Sequence, residues 1–458
     1  MGFTGLALGS MMANGAPVKR AKAKHVIWLF MTGGVSQMES FDRKPALAKY
    51  ADKSILDTPY KEIINRDQVK DKVRNMSALS LALPPKIFGP QIGFQQYGQN
   101  GTYVSDWFPH IGRMIDDIAL IRSVWTTDNN HVAQLQFHTG KHRLDGSEPS
   151  IGSWVNYGLG SLNNNLPSFV VMGRQPSDLT GGPESHGGNY LGPEHNGVPL
   201  NLKDPKNPLR YASPGPSVYV EEQAAEFGLL NELNHIAQVE YPNDPGMRAR
   251  IRSYELAFRM QTAVPEAVGL AQEPRHIRDL YGLDQKTTKA FGGQCLVARR
   301  LVERGVRFIQ IYHGGSGAAG GLWDGHTNLP RGHTLGSAQV DLPIAGLLRD
   351  LKQRGLLDET LVVFGTEFGR TAGLDGTLGR AHSPFGFTCW MAGGGIQGGV
   401  IEGATDELGF HAIENRHYVT DLHATILHQL GLDPQALDVP GRKRIELDYG
   451  TPIDAIIA

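Results

Sequence analysis

Leu296-Val297-Ala298-Arg299-Arg300-Leu301-Val302-Glu303-Arg304-Gly305-Val306-Arg307-Phe308-Ile309-Gln310-Ile311-Tyr312 changes its period half-way. From Phe291 to Arg304 the apolar residues Cys295, Leu296, Ala298, Leu301 and Val302 recur at helical spacing. Gly305 stands where a helix closes on a left-handed residue. The run from Arg307 to Tyr312 is continuous and apolar, the pattern of a strand buried on both faces. Residues 336–354 repeat the scheme, with Gly355 as the closing glycine and a strand over Leu361–Gly365. Helix alternating with buried strand implies a mostly parallel sheet with helices on both faces.

Working outward, His25-Val26-Ile27-Trp28-Leu29-Phe30-Met31 reads as the first strand and ends at Thr32-Gly33-Gly34. Residues 118–124, 167–172 and 387–392 read as further strands, and 129–138 and 419–430 as helices. Residues 173–220 are rich in Gly, Pro and Asn and read as a long loop excursion, a type of segment that often forms lids or binding edges. Two helical stretches follow, about 221–240 and 247–262. The expected organisation is an α/β domain over 25–458 carrying a loop and helical insertion at about 173–290.

Charge is balanced, Lys+Arg 44 against Asp+Glu 46, so no basic patch emerges and a nucleic-acid partner is not expected. The two cysteines, Cys295 and Cys389, exclude a disulfide framework and read as buried free thiols. No stretch reaches the ~18–20 apolar residues of a membrane span. Residues 1–24 are small and apolar, then basic (Lys19, Arg20, Lys22, Lys24), as in the latter part of an export signal. The expectation is a periplasmic or otherwise exported protein whose twin-arginine motif lies upstream of Met1. Gly393-Gly394-Gly395-Ile396-Gln397-Gly398 has the spacing of a dinucleotide loop but lacks the helix that must come after it. No Gly-x-Ser-x-Gly elbow is present, which argues against a serine hydrolase.

Chemistry gathers at strand ends, where open α/β sheets bind ligands. After the strand at 307–312 and a glycine-rich stretch comes Trp323-Asp324-Gly325-His326; after 361–365 comes Glu367-Phe368-Gly369-Arg370, then Gly379-Arg380-Ala381-His382. An Asp-x-His pair alone is compatible with a hydrogen-bonded turn. Two carboxylates and two imidazoles together, Asp324, His326, Glu367 and His382, make a set suited to a divalent metal such as Zn or Mn.

These residues also carry a resemblance. Trp28–Ser36 with Ser40–Pro45, Leu296–Phe308 with Trp323–His326, Glu367–Thr371, Ala392–Gly395 and Asp421–Leu427 resemble the large uncharacterised bacterial family of exported, sulfatase-like proteins in the alkaline phosphatase superfamily. The resemblance spans nearly the whole chain from about residue 25. It implies a three-layer α/β/α alkaline-phosphatase-like sandwich with a mostly parallel central sheet. It also implies one or two divalent metals, Zn, Mn or Ca, held by Asp and His at strand ends. Asp324 and His326 occupy the place of the superfamily's Asp…His pair, and His382 that of its last ligand histidine. Glu367 lies where a later strand ends in Asp-His, with Phe368 in place of the imidazole. Thr32-Gly33-Gly34 replace the first-strand aspartates, leaving Glu39 or Asp42 to reach in. The superfamily's nucleophile begins the helix that ends in Thr-Gly, here Thr139-Gly140. Asn130 stands near that position, beside Thr126, Thr127 and His131. A carboxamide is no nucleophile, so the resemblance points to a metal-activated water, with His131 as general base or further ligand. Arg370 and Arg380 are placed to bind an anionic group bidentately.

The expected function is therefore metal-dependent hydrolysis of phosphate or sulfate esters outside the cytoplasm, on an anionic small-molecule or glycan substrate. The alternatives are a non-catalytic binding protein on the same fold, recognising anionic glycans or a protein partner, and an assembly role. Sequence leaves the oligomeric state open.

Overall fold

The computed structural model describes residues 21–64, 86–175, 181–205, 207–209, 219–240, 245–315, 321–437, 439 and 449–458. Most of the expected export segment lies outside these residues. No described helix is long and apolar enough to cross a membrane.

Nine strands form the central sheet: β1 (His25–Thr32), β2 (Ile118–Trp125), β3 (Phe169–Gly173), β4 (Val198–Pro199), β5 (Phe308–Gly314), β6 (Thr360–Gly365), β7 (Phe387–Ala392), β8 (Ile401–Glu402) and β9 (His417–Tyr418). Their order is β8-β2-β7-β6-β1-β5-β3-β4, with β9 also paired to β2. β1 pairs parallel with β5 and β6, as do β3 with β4 and β5, and β2 with β8 and β9. Only β7 runs antiparallel to its neighbours β2 and β6. The carboxyl ends of β1, β2, β3, β5 and β6 therefore share one edge.

The longer helices are α1 (Ala133–Thr139), α2 (Ile151–Leu159), α3 (Val220–Glu240), α4 (Pro245–Val268), α5 (Lys289–Glu303), α6 (Leu329–Gln353) and α7 (Val419–Gln429). Alternation along β1 sorts its side chains to two faces. Ile27, Leu29 and Met31 join the core under α5 and α6, through Leu296, Leu301, Ile344 and Leu348. Val26, Trp28 and Phe30 join the core under α1, α2 and α7, through Phe137, Trp154 and Leu422. This is the three-layer α/β/α arrangement with a mostly parallel sheet that the alternation of periods implies.

Element boundaries differ in two instructive places. The helix expected from residue 336 begins at Leu329, because Asn328 caps it by accepting from the Arg331 amide and Pro330 suits its first turn. The helix expected from residue 129 begins at Ala133. Residues 129–132 instead form a bend that delivers His131 to the strand-end edge. Cys295 and Cys389 are buried free thiols, as expected.

Candidate metal centre

Asp324 sits in the loop between β5 and α6. Its backbone packs against Gly33 just past β1, where φ is +129° and a Cβ would lie 2.9 Å from the Asp324 nitrogen. Only glycine fits such a position without strain. Gly379 plays the same part on the other side, since a Cβ there would come within 1.9 Å of the His326 carbonyl. These two close approaches gather the loops after β1, β5 and β6 around one carboxylate.

Three imidazoles converge on it. His131 Nε2 is 3.1 Å from Asp324 Oδ2. His326 Nε2 and His382 Nε2 are each 3.2 Å from Oδ1, and 2.9 Å from one another. Each ring is held from behind through Nδ1: His382 by the Asn129 carbonyl at 2.7 Å, His326 by Asp375 Oδ2 at 2.6 Å and His131 by Glu367 Oε1 at 3.0 Å. Carbonyls and carboxylates only accept, so each Nδ1 carries a hydrogen. A neutral imidazole protonated at Nδ1 presents a lone pair at Nε2. In that neutral form three Nε2 lone pairs face a carboxylate to which the protein offers one arginine donor, from Arg370. Two bonds of ~2.0–2.1 Å at a tetrahedral angle put ligand atoms ~3.3 Å apart, close to the separations found here. The residues thus fit a divalent cation. Ligand atoms of His131, Asp324 and His382 all lie within 4.8 Å of one another.

Electrostatics separate the rings: without a cation His382 is neutral and His131 carries a proton. Burial, with the Arg370 charge, holds His382 down at about 3, so it is neutral at pH 7. Burial also opposes a charged His131, but its hydrogen bonds to Asp324 and Glu367 and their charges prevail and raise it to about 9. Without a cation, a proton on His131 fills part of the same role. Burial opposes ionisation of Asp324 too, yet the imidazoles of His131 and His382 and the Arg370 guanidinium hold it well below the usual carboxylate range.

Of the four expected ligands, Asp324, His326 and His382 come together directly. Glu367 stands one step behind, accepting from the Gly33 amide at 2.8 and 3.0 Å and orienting His131. His131, expected as a base or further ligand, stands between it and Asp324. Phe368, in place of an expected imidazole, stacks on the His382 ring with centroids 4.1 Å apart.

The arginines are placed differently from expectation. Arg380 is fully buried, and all its donors are committed to Glu39 and to the carbonyls of Thr371, Ala372, Phe88 and Gly89, so it offers none to an anion. Arg370 is equally buried and braces Asp324 at 2.9 Å while bonding to the carbonyls of Gly33, Gly34, Trp323 and Arg380. Glu39 and Asp42 do not reach the centre: Asp42 bonds to Lys44 and Thr405. Thr127 Oγ1 accepts from Gln136 at 2.8 Å. Asn130 is exposed, and its carboxamide oxygen accepts from the Val132 amide. Among the described residues, no hydrogen bond joins either to the Asp324 cluster. Sequence reading missed Asp375, whose one signal is a carboxylate in the glycine-rich loop between Glu367 and His382.

A parallel-sheet α/β protein with three histidines converging on an aspartate at its strand ends is the class that fold and site define. The chain belongs to the protein family of unknown function DUF1501, which spans residues 23–457. No curated protein matches it. Solved structures similar to it include the PsFucS1 sulfatase from Pseudoalteromonas sp. (13% identity, 98% of this chain and 74% of that one, TM-score 0.36). Others are a phosphonate monoester hydrolase from Silicibacter pomeroyi (12%, 94% and 76%, 0.38) and the lipoteichoic acid synthase LtaP from Listeria monocytogenes (9%, 97% and 82%, 0.34).

Proposed function

We propose that this protein is a metal-dependent hydrolase of phosphate or sulfate esters that works outside the cytoplasm. The observation that carries the reading is the convergence of His131, His326 and His382 Nε2 on the Asp324 carboxylate, each ring fixed at Nδ1. The sequence resemblance to sulfatase-like proteins supplies the ester class. Asp324, His131 and His382, with His326 beside them, would hold the ion. A nitrogen-rich set favours Zn or Mn over Ca, which prefers oxygen ligands. When bound, a divalent cation supplies Lewis acidity toward an ester oxygen and lowers the pKa of water. Arg370 fixes the Asp324 carboxylate from the protein side and offsets its charge. Glu367 and Asp375 hold His131 and His326 in the tautomer that turns Nε2 forward.

Elemental analysis of the purified protein, beside turnover of 4-nitrophenyl phosphate, bis(4-nitrophenyl) phosphate and 4-nitrophenyl sulfate, tests the proposal. Near-stoichiometric Zn or Mn that disappears together with turnover in Asp324→Ala supports it. A protein that takes up no metal after reconstitution sinks it.

A second reading has its own observation. The candidate nucleophile positions hold an exposed carboxamide, Asn130, and a hydroxyl engaged by Gln136, Thr127. A metal-loaded protein that turns over none of the three esters, yet binds a sulfated oligosaccharide, would be a binding protein on this fold.

A further inference from the structure

Helix α3 is inside out. The side facing the rest of the chain carries Gln223, Phe227, Asn231 and Asn234, all half-buried and spaced for one face. Of these only Phe227 is apolar, and it stacks on Phe258 of α4 with ring centroids 4.1 Å apart. The Asn231 Oδ1 and Asn234 Nδ2 atoms are buried without partners. The opposite side carries Leu229, Leu233, Ile236 and Val239, which are 55–81% exposed, while Leu230, 40% exposed, lies on the flank. An apolar stripe of that length on a surface helix ordinarily faces a core.

Charge says what covers it. α3 contains Glu221, Glu222, Glu226, Glu232 and Glu240 and no Lys or Arg. Two copies of α3 laid together would therefore repel. α4 carries Arg248, Arg250, Arg252 and Arg259 against Glu255 and Glu266, a net charge of +2. The complement of α3 is thus α4, and among the described residues its own α4 meets it on the polar side, through Phe258. We propose that two copies of the chain pair through their α3–α4 hairpins. The α3 of each rests its leucine stripe on the α4 of the other, giving a two-fold four-helix bundle. The 21 residues of α3 make a helix ~31 Å long. Two helices abreast at ~8–10 Å spacing then offer a face of about 600 Å² per copy, about 1,200 Å² in total, the lower bound for a stable interface.

Light scattering on the full chain after size exclusion tests this directly. Wild type is expected at twice the chain mass. Leu229→Gln/Leu233→Gln/Ile236→Gln is expected at one chain mass with its far-ultraviolet circular dichroism unchanged, because those side chains are exposed within one copy. Glu222→Lys/Glu226→Lys/Glu232→Lys and Arg248→Glu/Arg250→Glu/Arg252→Glu are each expected to be monomeric alone and to dimerise when mixed. A monomeric wild type, its stripe covered by another segment or another protein, overturns the proposal. So does a dimer that survives the triple glutamine change, or a pair of charge variants that does not re-associate.

Discussion

Two carboxylates stand at the same end of the sheet, each against a buried arginine, and they do opposite things. Glu39 meets Arg380 in a pair that is complete: the carboxylate also takes the Ser36 hydroxyl, and the guanidinium fills its remaining donors with four carbonyls. Asp324 meets Arg370 in a group that is not complete. One arginine donor reaches it, while three imidazole nitrogens crowd its outer side. Where donors and acceptors balance, a buried ionic group is a brace. Where acceptors exceed donors, the surplus is what the proposed cation would satisfy.

The brace gives the largest expected effects. Glu39→Ala leaves Arg380 charged and unpaired in the interior and should cost about 3–5 kcal/mol in denaturant unfolding. Replacing both partners with Glu39→Leu/Arg380→Met should recover little, because the carbonyls of Phe88, Gly89, Thr371 and Ala372 then lose their donor. A double variant as stable as wild type would erase the distinction between the two carboxylates. Acid should attack the same region next. His333 Nε2 accepts from the Ser36 amide at 3.0 Å, and burial followed by the Arg370 charge pulls it from 6.5 to about 3. The unfolded chain therefore takes up this proton first as pH falls below 6.5, and stability declines from there toward pH 3. By pH 4 the loss is about 3 kcal/mol. His333→Gln, which keeps an acceptor but cannot titrate, should flatten that part of the urea-midpoint profile against pH.

The two regions also differ in how far the sequence shows them. Asp324, His326 and His382 are visible because each comes after a strand of plain period, and the end of a strand locates the residues just beyond it. β7, expected over 387–392, is found over Phe387–Ala392, and β1, expected over 25–31, over His25–Thr32. The roles of Arg370 and Arg380 are not visible. Charge at a strand end looks the same whether it turns inward or outward, and what turns Arg380 inward is Glu39, 341 positions away. The helical placement expected for His131 fails for a related reason. Periodicity marks the helix but not the bend at 129–132, which depends on Asp128 accepting the Asn130 amide and on the Glu367 carboxylate waiting for the ring. The helix expected at about 221–240 is found over Val220–Glu240, but which of its faces turns inward, that of Gln223, Phe227, Asn231 and Asn234, is not legible from the period.

At the incomplete carboxylate the expected loss is of binding rather than of folding. Asp324→Ala removes the one anionic donor shared by all three imidazoles. Zn or Mn affinity, read by calorimetric titration, should fall by more than the ~10–100-fold typical of a lost outer partner. The metal-free protein should lose less than Glu39→Ala costs, because Arg370 gives Asp324 one donor where Arg380 gives Glu39 two, and Asp324 is 11% exposed where Glu39 is fully buried. Equal damage to folding from Asp324→Ala and Glu39→Ala would make both carboxylates braces.

The smallest expected effect discriminates most sharply. Asp375 touches no other part of the cluster than His326 Nδ1, at 2.6 Å, and its side chain is one-third exposed. If it serves only to cap a loop, Asp375→Ala should leave metal affinity unchanged. If it fixes the His326 tautomer, the ring is free to turn or to carry its hydrogen at Nε2, and affinity should fall ~10–100-fold. Asp375→Asn separates charge from orientation, since its carboxamide oxygen still accepts from Nδ1. It should therefore lose less affinity than Asp375→Ala, and thermal stability should move little in either variant. A loss of the same size in both would mean that the carboxylate's charge, rather than its hold on the ring, is what His326 requires.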